Sequence, residues 1–278
     1  MKLGDLEFHV ISDGHVLLDG GAMFGVVPRP LWEKKMPPDT RNRIRLSMNC
    51  LVIRAGGKRI LVETGAGGKM NPKLRDIYGL DGPFLLDGLR GLDLRAEDID
   101  IVINTHLHFD HCGGNTRIEG DQVVPTFPNA HYLVQTGELD HAMRPNERDR
   151  ASYFQENFAP VGAAENLFPL EGEHTVVTGV ELIRVPGHTA HMQCVKLTGG
   201  GQTAFFFADL VPTTAHLPLP WIMGYDLFPM TTLENKRRWI PEAIREGWIA
   251  LFAHDPNTPA AYLRSRDGSW EAETFTIT

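Results

Sequence analysis

The chain has 278 residues, 42% of them hydrophobic, and a formal net charge of −8 with a pI near 5.8. That is enough apolar material for one large domain or two fused halves, and an acidic balance without a basic stripe excludes a general nucleic-acid surface. The longest apolar runs are far too short to span a bilayer, "MKLGDLEFHVISDGH" lacks the apolar core of a secretion signal, and Cys50, Cys112 and Cys194 follow no framework spacing, so a cytoplasmic protein with reduced thiols is expected.

Alternating apolar residues predict a first strand over 7–11. "LDGGAMFGVVPRPLWEKKMPPDTRN" follows, a long Gly- and Pro-rich loop that nevertheless carries Met23, Phe24, Val26, Val27 and Trp32. Long apolar loops of this kind serve as lids or partner surfaces. Strands over 47–54 and 58–63 flank the turn "AGG" and form a hairpin. A short helical turn in "LRAEDID" feeds a buried strand over 100–104, and further strands are predicted at 131–135, 180–185, 192–197, 203–209 and 248–254. Between the last two, "TLENKRRWIPEAIREG" predicts a helix over 232–247, capped by Thr232, apolar along Leu233, Trp239 and Ile244, and kinked at Pro241. Strand-rich halves with interspersed helices point to an α/β architecture of sheets sandwiched by helices.

The chemistry sits at the ends of these strands. "NTHLHFDHCGGN" places His106, His108, Asp110 and His111 directly after the strand 100–104. His188 in "VPGHTAH", Asp209 in "FFFADL" and His254 in "LFAHDP" each close another strand. Carboxyl ends of strands are where α/β proteins build sites. Crowded imidazoles repel one another once protonated, so the cluster needs a cation to hold it. Five histidines and two carboxylates suit zinc, or manganese, iron or cobalt, and seven donors exceed what one tetrahedral ion takes. Two divalent ions sharing a carboxylate and a water are therefore expected. Isolated histidines such as His9, His131 and His174 read as surface or core residues, and Cys112 as a small core residue.

"THLHFDH" (105–111), "PGHTAH" (186–191), "FFADL" (206–210) and "FAHDP" (252–256) resemble the metallo-β-lactamase superfamily, most closely its quorum-quenching lactonase and methyl parathion hydrolase branch. The resemblance implies an αβ/βα four-layer sandwich formed by one domain of two related halves, roughly 1–170 and 171–278. It implies one ion on His106, His108 and His188, a second on Asp110, His111 and His254, and a bridge at Asp209. It also implies a homodimer through the loop 20–43. Two positions depart from the family pattern. Glu63 stands where the "DTG" turn usually has Asp, and Pro212 stands where many lactonases place a tyrosine, which makes Tyr225 the candidate substitute. The cysteine ligand of zinc β-lactamases is not matched.

Water shared by two cations loses a proton near neutral pH, so hydrolysis is the expected reaction. Asp110 is the expected proton carrier to the leaving group. Met23, Phe24, Phe109, Trp221, Met223 and Phe228 are the expected apolar wall, favouring a small uncharged acyl or aryl substrate. A lactone or small ester is the leading expectation. An aryl-ester or organophosphate triesterase is the alternative, and an iron redox enzyme on the same scaffold comes after it.

Overall fold

Period-two apolar strands build two seven-stranded sheets in the computed structural model, which describes residues 1–275. The first sheet runs Lys2–Leu3 (β1), Leu6–Asp19 (β2), Arg43–Ala55 (β3), Lys58–Val62 (β4) and Ile101–Ile103 (β5). After a separate hairpin, Thr116–Glu119 (β6) with Gln122–Pro125 (β7), it continues with His131–Gln135 (β8) and Leu167–Leu170 (β9). The second sheet runs His174–Val177 (β10), Val180–Arg184 (β11), Gln193–Gly199 (β12), Gln202–Phe206 (β13), Ile249–Leu251 (β14), Ala260–Arg266 (β15) and Ser269–Glu273 (β16). Strands β4, β5, β8 and β9 are parallel, as are β13 and β14. The central ones, Ile101-Val102-Ile103 of β5 and Ile249-Ala250-Leu251 of β14, are apolar throughout because both faces are covered.

Alternation sorts the side chains into layers. Ile60, Val62, Ile103 and Leu133 face the second sheet, where Leu182, Val195, Leu197, Phe206 and Leu251 complete the central core. Leu61, Val102 and Tyr132 point the other way, onto Leu85 and Leu89 of the helix Leu85–Arg90 and Val161 of Ala159–Ala163. On the outer face of the second sheet, Phe205 stacks on Trp239 of the helix Pro229–Arg245 at 5.2 Å between ring centroids. Helix, sheet, sheet and helix make the expected four-layer sandwich. Among the described residues, no helix is long and apolar enough to cross a membrane.

Several elements differ from the sequence expectation. Strand β2 continues well past residue 11, through a register shift between Ser12 and His15 where Asp13 and Gly14 form a bulge. The segment 20–43 contains two short helices, Gly20–Phe24 and Arg29–Trp32. It buries Met23, Phe24, Val27 and Trp32 within its own chain and leaves Val26 and Leu31 exposed. The helix predicted from 232 begins at Pro229 and runs through Pro241. Thr232 does not cap it; its hydroxyl donates to Asp226 Oδ2 at 2.7 Å.

That helix carries Lys236 fully buried. Its ammonium donates to the carbonyls of His216 and Pro218 at 2.7 Å each, and of Trp221 at 3.0 Å. Burial pulls the Lys236 pKa down, opposed by the Asp226 charge, and the carbonyl cage holds the ammonium in place. Lys236→Met is expected to cost about 3 kcal/mol of folding stability, because several buried acceptors lose their donor together. Denaturant titration checks this, and a midpoint unchanged from that of the unsubstituted chain would show that the cage contributes nothing.

Candidate metal centre

All seven predicted donors gather at one edge of the sandwich, each at most 8% exposed. They lie just beyond the strands rather than on them. His106 and His108 follow β5, and Asp110 and His111 occupy the short helix Phe109–Cys112. Glycines behind this helix permit a close approach: a Cβ on Gly113 would stand 2.2 Å from the Ala66 carbonyl oxygen. His188 follows β11, Asp209 sits in the turn Ala208–Leu210 after β13, and His254 follows β14.

The donor atoms form two clusters. His106 Nε2 and His188 Nε2 lie 3.1 and 3.0 Å from His108 Nδ1. His254 Nε2 lies 3.1 Å from His111 Nε2, and the Asp110 carboxylate reaches His254 at 3.8 Å and His111 at 4.0 Å. Asp209 stands between the clusters. Its Oδ2 is 3.2 Å from His188 Nε2, and its Oδ1 is 3.2 Å from His254 Nε2 and 3.5 Å from His111 Nε2. Within each of the trios His106/His108/His188, Asp110/His111/His254 and His106/His111/Asp209, one donor atom per residue lies within 4.8 Å of the others.

Outer partners aim the imidazoles. His188 Nδ1 pairs with Asp226 Oδ1 at 2.9 Å, and His254 Nδ1 donates to the Ser47 carbonyl at 2.8 Å. A ring that donates from Nδ1 presents the Nε2 lone pair inward when neutral. Glu63 Oε2 sits 3.7 Å from His111 Nδ1, while Oε1 accepts the Thr105 backbone N–H at 3.0 Å. The longer Glu63 side chain thus still reaches both the strand end and His111. Glu138, buried behind the motif, accepts from the Leu107 N–H, the Thr189 hydroxyl and the Tyr153 hydroxyl.

The electrostatics favour a cation at this point. Burial and mutual repulsion hold His106 and His108 well below the usual histidine range, so both are neutral and able to ligate. Burial is the largest influence on His111, His188 and His254 and lowers them, yet the Asp209 carboxylate together with neighbouring carboxylates (Asp110 and Glu63 at His111, Asp226 at His188, Asp110 at His254) raises all three overall. Burial alone would raise Asp209, but the imidazoles of His111, His254 and His188 hold it well below the carboxylate range. Asp209 Oδ1 is buried without a hydrogen-bond partner. Converging nitrogen lone pairs beside an unsatisfied carboxylate oxygen are a donor set that fits a divalent metal.

Beside the centre opens a cleft of about 350 Å³, lined by His108, Asp110, His188, Asp209 and His254. Of the six residues expected in its apolar wall, Met23, Phe109 and Met223 line it, joined by Leu18 and Leu227. The other three do not. Phe24 is buried in the core, stacked on His216 at 4.6 Å and on Trp32 at 5.3 Å. Trp221 packs its edge on Phe24, and Phe228 is 46% exposed. Aromatic composition does not reveal which face a ring takes. Pro212 is buried and its carbonyl accepts the His254 backbone N–H at 2.9 Å, whereas Tyr225 does line the cleft, as do Tyr78 and Arg148. Asp226 and Glu138 were not anticipated from the sequence. Asp226 had one signal, a lone charge in the otherwise apolar "LPLPWIMGYDLF". All three cysteines are buried free thiols.

A four-layer sandwich closing on a buried imidazole and carboxylate centre has the build of the metal-dependent hydrolases. The chain belongs to the metallo-beta-lactamase superfamily, whose family model matches residues 44–261. An N-acyl homoserine lactonase of Bacillus cereus is 27% identical over 233 residues, covering 77% of this chain and 83% of that protein. Another, from a Bacillus species, is 35% identical over 170 residues and is spanned for only 60% of its length. Among solved structures, a probable metal-dependent hydrolase from Staphylococcus aureus matches the whole of both chains at TM-score 0.90 and 31% identity. A dizinc quorum-quenching lactonase, in complex with an N-acyl homoserine product, matches 100% of this chain and 97% of its own at TM-score 0.79. Its identity is 19%, a likeness of fold.

Proposed function

We propose that the protein is a dinuclear metal-dependent hydrolase of lactones or related small esters, with N-acyl homoserine lactones as the first candidates. The observation that carries this is Asp209, whose two oxygens face separate donor clusters at 3.2 Å each. His106, His108 and His188 would hold one ion, Asp110, His111 and His254 the other, and Asp209 both, with zinc the preferred metal. Such ions, when bound, lower the pKa of water and polarise an ester carbonyl.

The protein's own groups do the rest. Asp110 lies in the cleft wall, where its carboxylate can take a proton from the attacking water and pass it to the leaving oxygen. Burial pushes the Tyr225 phenol up to about 12, with Asp19, Tyr78 and Asp110 adding to the rise. The phenol therefore stays protonated at neutral pH as a donor to the substrate carbonyl or leaving oxygen. Met23, Phe109 and Met223 exclude water and receive the acyl portion. Val26 and Leu31, exposed on the segment 20–43, are the apolar residues left there for pairing with a second copy.

Proton release from zinc-loaded protein offered acyl-homoserine lactones of several chain lengths tests the proposal, with His188→Ala as control. Fast turnover that vanishes in the variant is the expected result. No turnover with two metals bound would reassign the site to aryl esters and phosphotriesters. Tyr225→Phe is expected to lower kcat/KM by about tenfold, the scale of one lost hydrogen bond to the reacting oxygen, with metal content unchanged. An unaltered kcat/KM would remove Tyr225 from the mechanism.

A further inference from the structure

Beside the cleft lies a second, smaller cavity of about 230 Å³, and the two share the side chains of Arg148 and Leu227. The hydrolytic step uses no residue of the smaller one, and its lining has a different character. Where the cleft presents Leu18, Met23, Phe109 and Met223, the side cavity presents Arg148, His141, His191 and Asn146.

Arg148 is exposed, and its Nη2 donates at 2.7 Å to the carbonyl of Gly224, which also lines the cleft. Its Nε and Nη1 have no acceptor among the described residues, and no aspartate or glutamate among them pairs with it. Arg29, Arg43 and Arg264, by contrast, each meet a carboxylate. The groups around Arg148 add donors. Asn146 Oδ1 accepts the Arg148 backbone N–H at 2.9 Å, which leaves the Asn146 amide N–H groups unused. The His191 ring has no hydrogen-bond partner among the described residues, and Gly137 makes room for it: a Cβ there would stand 2.4 Å from Cε1. The two carboxylates nearby are already met. Asp149 Oδ2 lies 2.6 Å from His141 Nε2, and Glu138 accepts from the Leu107 N–H and the Thr189 and Tyr153 hydroxyls.

A planar guanidinium with unused N–H groups matches a carboxylate in charge and in shape. One such group balances a single negative charge, whereas a phosphate dianion would stay half balanced. We propose that the side cavity is a subsite in which Arg148 receives a carboxylate carried by the substrate, at the end remote from the ester bond. This rests on the hydrolase reading above and narrows it to lactones or small esters bearing a free acid. The apolar cleft takes the neutral portion, and the side cavity takes the charged end.

The test uses matched pairs. N-adipoyl and N-hexanoyl homoserine lactone differ in a terminal carboxylate against a methyl group, as do the shorter N-succinyl and N-butanoyl lactones. The zinc-loaded protein is expected to prefer the acid by about tenfold in kcat/KM at one of these lengths, the scale of one hydrogen-bonded contact to a charged group. High salt should shrink that preference. Arg148→Met should abolish it, and Arg148→Lys should keep part of it, because an ammonium supplies the charge without the fork. Metal content and thermal midpoint establish that each variant is folded; Arg148→Lys carries the comparison if Arg148→Met is not. A fall shared equally by both members of a pair would reduce Arg148 to a latch on Gly224 and overturns the proposal. So does the lack of an acid preference at both lengths, or one that survives Arg148→Met. If no lactone is turned over, calorimetry on the zinc-loaded protein with N-cyclopentyladipamic acid decides. Binding weakened about tenfold in Arg148→Met, on the same scale, keeps the subsite while the lactonase reading falls. Equal binding in the two proteins, or none in either, removes the subsite as well.

Discussion

Asp209→Ala is expected to strip the centre of stable metal binding and to lower turnover by on the order of a thousandfold or more, the scale for losing a group that organises charge in the transition state. The reason is geometric. Asp209 is the side chain that touches both donor clusters, at 3.2 Å to His188 on one side and 3.2 Å to His254 on the other. Without it, five buried imidazoles face one another with Asp110 the one carboxylate left among the seven donors. Added metal should restore little, because a donor and its charge are both gone. Metal analysis after dialysis, together with kcat/KM at increasing zinc, checks this. A variant that keeps two ions and near-normal turnover would show that Asp209 is not shared.

Asp226→Ala is expected to behave differently, lowering metal affinity by about 10- to 100-fold, as removal of a ligand's hydrogen-bond partner does. Asp226 touches no other donor of the centre; it holds the His188 ring, 2.9 Å from Nδ1, and is itself held by the Thr232 hydroxyl at 2.7 Å. The ligand survives the change but loses its fixed tautomer and orientation. Activity should therefore recover at saturating metal, which the Asp209 variant cannot do. Competition with a chelator measures the affinity, and an unaltered dissociation constant would show that the Thr232–Asp226–His188 chain has no part in aiming the ligand.

The contrast between these two aspartates also marks what the sequence makes legible. Four donors are local, crowded into "HLHFDH", and the other three follow apolar runs, so strand ends and residue chemistry together locate them. Asp226 lies 38 positions from His188, and the pairing of the Leu227 and Phe228 backbone N–H groups with the His188 and Gly187 carbonyls helps bring the two together. No local spacing encodes that. Asp149, which also lines the cleft, is hidden for the same reason, since it lies on a turn whose Ser152 carbonyl accepts the Phe109 backbone N–H at 2.9 Å. The strands show a related effect: β2 runs on past its predicted end through a bulge at Asp13, whose carboxylate accepts the backbone N–H groups of Gly67, Phe84 and Leu85. Half of the expected apolar wall lies elsewhere, because Phe24, Trp221 and Phe228 are as apolar as Met23, Phe109 and Met223 but do not face the cleft.

The placement of the seven donors along the chain sets an order of maturation. A chain made from its N-terminus presents His106, His108, Asp110 and His111 first, all on the segment after β5. The trio His106/His108/His188 can close as soon as β11 has been laid down and His188 follows it. The trio Asp110/His111/His254 must wait for β14, the long helix before it, and His254 beyond both. Assembly of the two trios is thus separated in time by the synthesis of four strand and helix elements. A nascent chain folding from its N-terminus carries an incomplete second trio throughout that interval, and the full donor set is assembled only when the second sheet is nearly whole.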